Sequence, residues 1–85
     1  MNHMEVEVDV SLPTQENAPV PCLVNGIPVD AWVVSIGEDE WAVTIAIPGF
    51  RREKGKVVTD MMGMLVETFH INQDGHGKYL MAMKG

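Results

Sequence analysis

Apolar and acidic residues alternate without exception near the start of the chain. From Glu5 to Leu12 every second side chain is a valine or a leucine, and the residues between them are Glu, Asp or Ser. This period of two residues predicts a half-buried β-strand. Pro13 ends the alternation, and residues 14–21, which contain two further prolines, predict an extended loop.

Two turn signals predict hairpins in the middle of the chain. Asn25-Gly26 lies between two short apolar runs, and both residue types tolerate the positive φ of a type I′ turn. A strand is therefore expected at 27–36. After the polar turn at 37–40, a further strand is expected at 41–47, where Pro48-Gly49 ends the apolar pattern.

The register of the second hairpin follows from the sizes of its side chains. A four-residue loop would place large apolar residues opposite each other on one face, as Ile36 with Trp41, Val34 with Val43, and Trp32 with Ile45. The other face would receive smaller residues, as Ser35 with Ala42, Val33 with Thr44, and Ala31 with Ala46. This separation by size predicts that both tryptophans belong to the core.

The strand at 27–36 is apolar on both faces near its start. Together with the preceding run, Cys22, Val24, Ile27 and Val29 put apolar side chains on the face that holds small residues farther along. A flat sheet with one buried face does not account for this pattern. A strand that bends near Asp30 and serves two sides of a small barrel does.

These patterns predict a single, mainly β domain at residues 4–85. We expect a partly open β-barrel or a curled antiparallel sheet of five or six strands. Residues 1–3 precede a second methionine and are set aside as a candidate cloning remnant.

The C-terminal third is less regular. Residues 57–66 carry apolar side chains at helical spacing, whereas their β-branched residues and Gly63 argue against a stable helix. A short helix there is therefore an alternative to a strand. Residues 68–71 and 78–83 flank a loop rich in Asn, Asp and Gly, and this arrangement predicts a last hairpin.

Acidic residues dominate the composition but are unevenly distributed. The 85 residues include 12 Asp and Glu against 6 Lys and Arg, which gives a net charge of −6. Residues 1–50 hold eight of the acidic residues and no Lys or Arg, a balance of −8, so residues 51–85 carry +2. The sequence therefore allows a domain with one acidic and one basic region.

Size and cysteine content limit the classes of protein that the chain can represent. A domain this small has a marginal core that gains from a partner surface, and it has little volume for a substrate pocket. The single cysteine, Cys22, excludes an internal disulfide, suits the cytoplasm and is expected to be a buried apolar residue. No apolar run is long enough to cross a membrane, so a membrane partner is not expected.

Candidate catalytic and metal-binding patterns fail on chemistry. Asn72, Asp74, His76 and Gly77 fit the first positions of a calcium-binding EF-hand loop, but Met83 stands where a bidentate carboxylate is required. The three histidines and Cys22 lack the short spacings of a zinc site. Phosphate-binding and nucleophile motifs are absent. We therefore expect no enzyme activity, no cofactor and no metal.

Two kinds of charged cluster are candidates for interaction. A basic segment follows Phe50 and comprises Arg51, Arg52, Lys54 and Lys56. It is expected to be an exposed loop that could grip phosphates while Phe50 stacks on a base. The acidic candidates are Glu5, Glu7 and Asp9 on one strand face and Glu38, Asp39 and Glu40 in one turn.

These observations favour a small, non-catalytic protein-interaction module in the cytoplasm. It would be a subunit of an assembly or an inhibitor that presents an acidic face to a basic partner. Five of the seven methionines lie between Met61 and Met83, which also suggests a second copy of the chain as partner. The alternative is a nucleic-acid-contacting β-barrel module acting through residues 51–56, and the chain carries no motif that identifies a family.

Overall fold

Seven β-strands make up most of residues 2–84, which are the residues that the computed structural model describes. The strands are β1 (His3–Val10), β2 (Ala18–Pro19), β3 (Cys22–Val24), β4 (Ile27–Ile36), β5 (Glu40–Glu53), β6 (Lys56–Asn72) and β7 (His76–Ala82). They form one antiparallel sheet in the order β6-β5-β4-β3-β1-β7, with β2 beside β4. The sheet curls into a half-barrel, as predicted, and residues 2–84 contain no helix.

β4 produces the curl because it changes partners at Asp30. Its residues 27–29 pair with β3, whereas Asp30 and the residues after it pair with β5. The predicted bend is therefore confirmed, and it divides the sheet in two. We call β7, β1, β3 and the start of β4 the β1 half, and the rest of β4 with β2, β5 and β6 the β5 half.

The two central turns form as predicted, but the second register changes partway along the strand. Asn25 and Gly26 have φ of 52° and 80°, as a type I′ turn requires. Ile36 pairs with Trp41 and Ser35 with Ala42, as predicted, and then a bulge at Val34 shifts the ladder by one residue. Beyond it Val33 pairs with Val43 and Ala31 with Ile45.

The bulge moves Trp32 out of the core. A shift of one residue sends every later side chain to the opposite face. Val33 is therefore fully buried, whereas Trp32 is 45% exposed and Val34 is 42% exposed. The prediction that Trp32 is a core residue is wrong, while Trp41 packs against the core.

The helix proposed for residues 57–66 does not form, because β6 pairs along its length with β5. β5 continues past Pro48-Gly49 to Glu53, and the ladder passes from Pro48 opposite Met64 to Phe50 opposite Thr59. Four residues of β6, 60–63, thus lie opposite Gly49 alone and form a bulge. This bulge breaks the period of two that marks a strand, and it leaves two methionine side chains more than 90% exposed.

The predicted last hairpin is also wrong. A turn at 73–75 joins β6 to β7, but β7 pairs with β1, and within residues 2–84 only a bridge between Val57 and Met83 links the two sheet edges. Side chains fill the space between the edges, where the rings of Phe69 and Tyr79 lie 4.8 Å apart. The barrel is consequently half open, and its seam is closed mainly by side-chain packing, with a backbone hydrogen bond from the Lys84 N–H to the Val57 carbonyl at 2.9 Å.

The core lies between the two halves of the sheet. The alternation in β1 works as predicted, because Val6, Val8 and Val10 are buried. Among residues 2–84 no charged or polar residue is buried to the same extent. Each fully buried valine or isoleucine contributes about 1.5–3 kcal/mol to folding. The largest fully buried side chains are Ile45, Ile71, Val6, Val8, Val33, Val43 and Val57.

Candidate functional site

An apolar groove crosses the outer face of the β5 half. It has a volume of about 630 Å³, and we call it the outer groove. It is lined by Pro19, Val20, Pro21, Val29, Asp30, Ala31, Trp32, Thr44, Ala46 and Val66. The outer face of an antiparallel sheet is ordinarily polar. A face this apolar marks a candidate binding surface.

The strand register builds the floor and rims of the outer groove. Val43, Ile45 and Ile47 of β5 point into the core, so Thr44 and Ala46 point outward and form a low floor. Trp32 pairs with Thr44 in the ladder, and Val66 pairs with Ala46. The bulge in β4 is thus what places the indole beside this floor.

A proline-rich segment forms the wall of the groove next to Trp32. β2 pairs with β4, and the Val20 N–H beyond it donates to the Ala31 carbonyl at 3.1 Å. Pro19 and Pro21 have no N–H to offer, so this wall presents mainly apolar surface. The predicted loop at 14–21 therefore contains a short strand, β2, that shapes the groove.

The groove continues into a smaller hollow toward Met64. That hollow has a volume of about 230 Å³ and is lined by Pro28, Val29, Asp30, Ala46, Pro48 and Met64. Met64 is 54% exposed and Val66 is 59% exposed. Together the two depressions form one continuous apolar track across β4, β5 and β6.

Asp30 is the only charged residue that lines either depression. Its carboxylate has no ion pair or hydrogen bond with any residue in the described range 2–84. Asp30 is exposed, so its carboxylate is open to a cation from a binding partner, and such a pair becomes less screened only when the partner covers it. Asp30 is therefore the one charged contact point on this surface.

The predicted acidic residues of β1 share the outer face of that strand but are partly neutralised. Lys78 Nζ lies 3.5 Å from Glu5 Oε1 and 3.9 Å from Glu7 Oε2. His76 Nδ1 lies 2.7 Å from Asp9 Oδ1. This hydrogen bond, with smaller effects from neighbouring carboxylates, raises the pKa of His76 above its ordinary value.

One side-chain group within residues 2–84 has the composition of a metal site. The ligand atoms of Glu7, Asp9 and His76 lie within 4.8 Å of one another. Asp9 and His76 are close because they hydrogen-bond to each other directly, so a metal ion is not needed to explain their proximity. Cys22 lies apart from the group. It is buried, and burial followed by the charge of Asp9 raises the pKa of its thiol to about 11, so the thiolate is disfavoured at neutral pH.

The acidic turn 37–40 lies at one end of the β5–β6 hairpin. Glu38, Asp39 and Glu40 are all exposed there, as predicted. The turn is closed by the Gly37 N–H, which donates to the Glu40 carbonyl at 2.9 Å. His70 Nδ1 lies 3.5 Å from Glu40. We call this the acidic end of the molecule.

The basic segment lies at the opposite end of the same hairpin and is largely paired. Arg51 donates to Glu53 at 2.8 Å and to Asp60 at 3.0 Å, and Arg52 Nε donates to Glu67 at 2.6 Å. Hydrogen bonds from Lys84 and then from Arg51 lower the pKa of Glu53. These arginines are thus already engaged by the protein's own carboxylates.

The basic segment as a whole does not form the expected open loop. Residues 51–53 belong to β5 and Lys56 belongs to β6, with a turn at Lys54-Gly55 between them. Phe50 is half-buried and packs against the core. In the described part of the chain, Lys54 and Lys56 are the cations of this segment without an ion pair.

The outer groove was not predicted from the sequence. Its members come from the proline-rich loop and from three strands, and they meet only after the bulge has turned Trp32 outward. The exposed valine at position 66 gives no separate signal, because a valine in a strand is ordinarily taken as core.

Comparison with known proteins does not assign the chain to a family. No protein-family model, no curated protein and no solved structure matches it. Within residues 2–84 there is also no helix of the length and apolarity needed to cross a membrane.

Proposed function

We propose that this chain is a non-catalytic protein-interaction module that binds a segment of another protein in the outer groove. The segment carries apolar side chains next to a lysine or arginine. One observation carries the proposal: an exposed tryptophan, Trp32, lines an apolar groove whose only charged residue, Asp30, lacks a partner in the described range 2–84.

Burial of the apolar track would supply the affinity. Removing apolar surface from water contributes about 25 cal/mol per Å², and a tryptophan is the most effective single anchor in protein interfaces. Trp32, Met64 and Val66 are the most exposed apolar residues of the track. Asp30 would fix the orientation of the bound segment through its cation.

The acidic end would contribute to the rate of encounter. With a net charge of −6, the protein attracts a basic partner over distances up to about a Debye length. The module would then act as a subunit of an assembly or as an inhibitor of a basic partner. Location in the cytoplasm, without a membrane partner, belongs to the same proposal.

Selection from a displayed library of random peptides tests the recognition chemistry. A Trp41→Phe variant leaves Trp32 as the sole tryptophan, so binding can be followed by its fluorescence. We expect the selected peptides to combine aromatic or aliphatic residues with Lys or Arg, and to shift the emission of Trp32 to the blue.

Substitutions in the groove locate the binding surface. Trp32→Ser and Asp30→Lys should each weaken binding of a labelled selected peptide at least about tenfold, or about 1.4 kcal/mol. Leu80→Ser is the matched control, because Leu80 is an apolar residue of β7 that is 67% exposed and lies outside the groove. Unchanged affinity in both groove variants would refute the proposal.

A second copy of the chain is the other protein partner to test. Light scattering over a range of concentrations would reveal association, and loss of association in Trp32→Ser would assign the same groove to self-assembly. A mass that stays monomeric leaves another protein as the occupant. Neither result depends on identifying a natural partner.

A further inference from the structure

A second, smaller cavity lies inside the half-barrel, between the β1 half and the β5 half. Its volume is about 190 Å³, and we call it the inner cavity. Its lining residues are Met4, Val6, Val24, Asn25, Ile27, Val29, Ile47, Pro48 and Phe50. Trp32 and Asp30 do not line it, although it shares Val29 with the outer groove and Pro48 with the adjoining hollow.

The inner cavity exists because two ladders separate at this point. The β4–β5 ladder runs from Ile36 to Asp30, which pairs with Ala46. Beyond that pair β4 turns to β3, while β5 continues along β6. Side chains of the diverging strands therefore line a space that neither strand fills. Three lining residues, Asn25, Ile27 and Pro48, are exposed and mark its opening.

The lining offers nothing to a charged or hydrogen-bonding ligand. Eight of the nine residues are apolar, and Asn25 is the exception. The Asn25 side chain is already engaged, because Oδ1 accepts the Glu7 N–H at 2.8 Å and Nδ2 donates to the Glu5 carbonyl at 3.1 Å. No titratable side chain lines the cavity.

The size of the cavity sets the size of its ligand. An apolar cavity of about 150 Å³ in another protein stays dry and binds benzene, because water cannot replace its lost hydrogen bonds there. The inner cavity is slightly larger and mainly apolar, and it is open to solvent on one side. Filling it would add dispersion contacts with lining side chains such as Val24 and Ile47.

We propose that the inner cavity is a binding site for one small, neutral, apolar molecule about the size of a benzene ring. The site goes beyond the proposed function, since it lies inside the barrel and needs no partner protein. Binding would bridge the two halves of the sheet where their ladders part.

Methyl-group NMR with benzene as the probe tests this directly. We expect saturable shifts of the methyl resonances of Val6, Val24 and Ile47, which line the inner cavity but not the outer groove, and no comparable shift at Val66 in the outer groove. Benzoate, which carries the same ring with a charge, should leave these resonances unchanged at equal concentration. Absence of saturable shifts with benzene in the folded protein would overturn the proposal.

Variants that fill the cavity provide a second test. Val24→Phe and, independently, Val29→Phe should abolish the saturable benzene shifts of the remaining lining methyl groups. Val66→Phe, the same change outside the cavity, should retain them. Backbone NMR spectra establish that each variant is folded. Saturable benzene binding that persists in both folded filling variants would also overturn the proposal.

Discussion

Gly75 ties the turn between β6 and β7 to the end of β1. Its φ is +83°, and its carbonyl accepts the Val10 N–H at 2.7 Å. A Cβ atom at this position would lie 2.4 Å from the Val10 carbonyl oxygen. Gly26 has nearly the same φ, +80°, but a Cβ atom there would meet nothing within 4 Å. A comparison of the two glycines therefore separates the cost of a positive φ, which both share, from the cost of the close contact with Val10, which only Gly75 has.

Replacement by alanine should distinguish these two effects. Gly26→Ala should lower the free energy of unfolding by about 1–2 kcal/mol, the cost of a side chain in left-handed backbone. Gly75→Ala should cost at least about 1 kcal/mol more, because the turn must also move away from Val10. Urea denaturation measures both values. Equal losses would show that the contact with Val10 adds nothing.

The pair formed by His76 and Asp9 should make stability depend on pH. Because the folded state raises the pKa of His76, folding favours its protonated form. The stabilisation is complete below the ordinary histidine pKa of 6.5 and is lost as the pH rises through the higher pKa of the folded state. Thermal unfolding from pH 5 to 9 should show this loss.

Asp9→Asn should remove most of that dependence. The hydrogen bond to Asp9 is the largest cause of the raised pKa, and the charge of Asp74 is a smaller one. NMR titration of the His76 ring should give a lower pKa in Asp9→Asn than in the wild type, and a smaller decrease in Asp74→Asn. A larger decrease in Asp74→Asn than in Asp9→Asn would contradict the conclusion that Asp9 is the main partner of His76.

At the scale of elements, two type I′ turns in the same protein differ in how well their residues suit the backbone. Asn25-Gly26 has φ of 52° and 80°, and Lys54-Gly55 has 50° and 80°. Asparagine tolerates the first of these conformations, whereas lysine does so only with strain. Lys54 is therefore a poor residue for the turn of the long β5–β6 hairpin, because its backbone there has a positive φ.

Lys54→Asn should accordingly stabilise the protein by about 0.5–1 kcal/mol. Lys56→Asn removes the same charge from the start of β6 without a change at a positive φ, and it should not stabilise. Urea denaturation of both variants gives the comparison. If the two variants change stability equally, the effect comes from charge rather than from the turn.

The strands and turns also differ in how well the sequence predicts them. The strand 27–36, the alternation in β1 and the Asn25-Gly26 turn were predictable, because each depends on neighbouring residues. The bulge at Val34 was not predictable, because β4 contains no glycine and no other residue that signals an extra position in the strand. The partner of β7 was also unpredictable, because β1 lies more than sixty residues away in the sequence.

At the scale of the whole molecule, the uneven charge of the sequence becomes a separation in space. The acidic turn 37–40 and the turn at Lys54-Gly55 lie at opposite ends of the β5–β6 hairpin, in a molecule 37 Å long. The basic end is weak as a polyanion site, because Arg51 and Arg52 already contact carboxylates. Contact with nucleic acid through residues 51–56 nevertheless stays a prediction.

Salt dependence tests that prediction. Two unpaired lysines, Lys54 and Lys56, would give a slope no steeper than about −1.4 for the logarithm of the single-stranded DNA binding constant against that of salt concentration. Arg51→Ala with Arg52→Ala should leave this slope unchanged. A much steeper slope that the double variant reduces would favour the nucleic-acid function instead.

Local sequence patterns specify the β class, the Asn25-Gly26 turn, the alternation that buries β1 and the concentration of acidic residues in the first fifty residues. These properties depend on residues close together in the chain. Tertiary structure alone decided the outer groove, the inner cavity and the pairing of the arginines. Each of these depends on register or on pairing between distant strands, and a one-residue bulge reverses which face a side chain occupies.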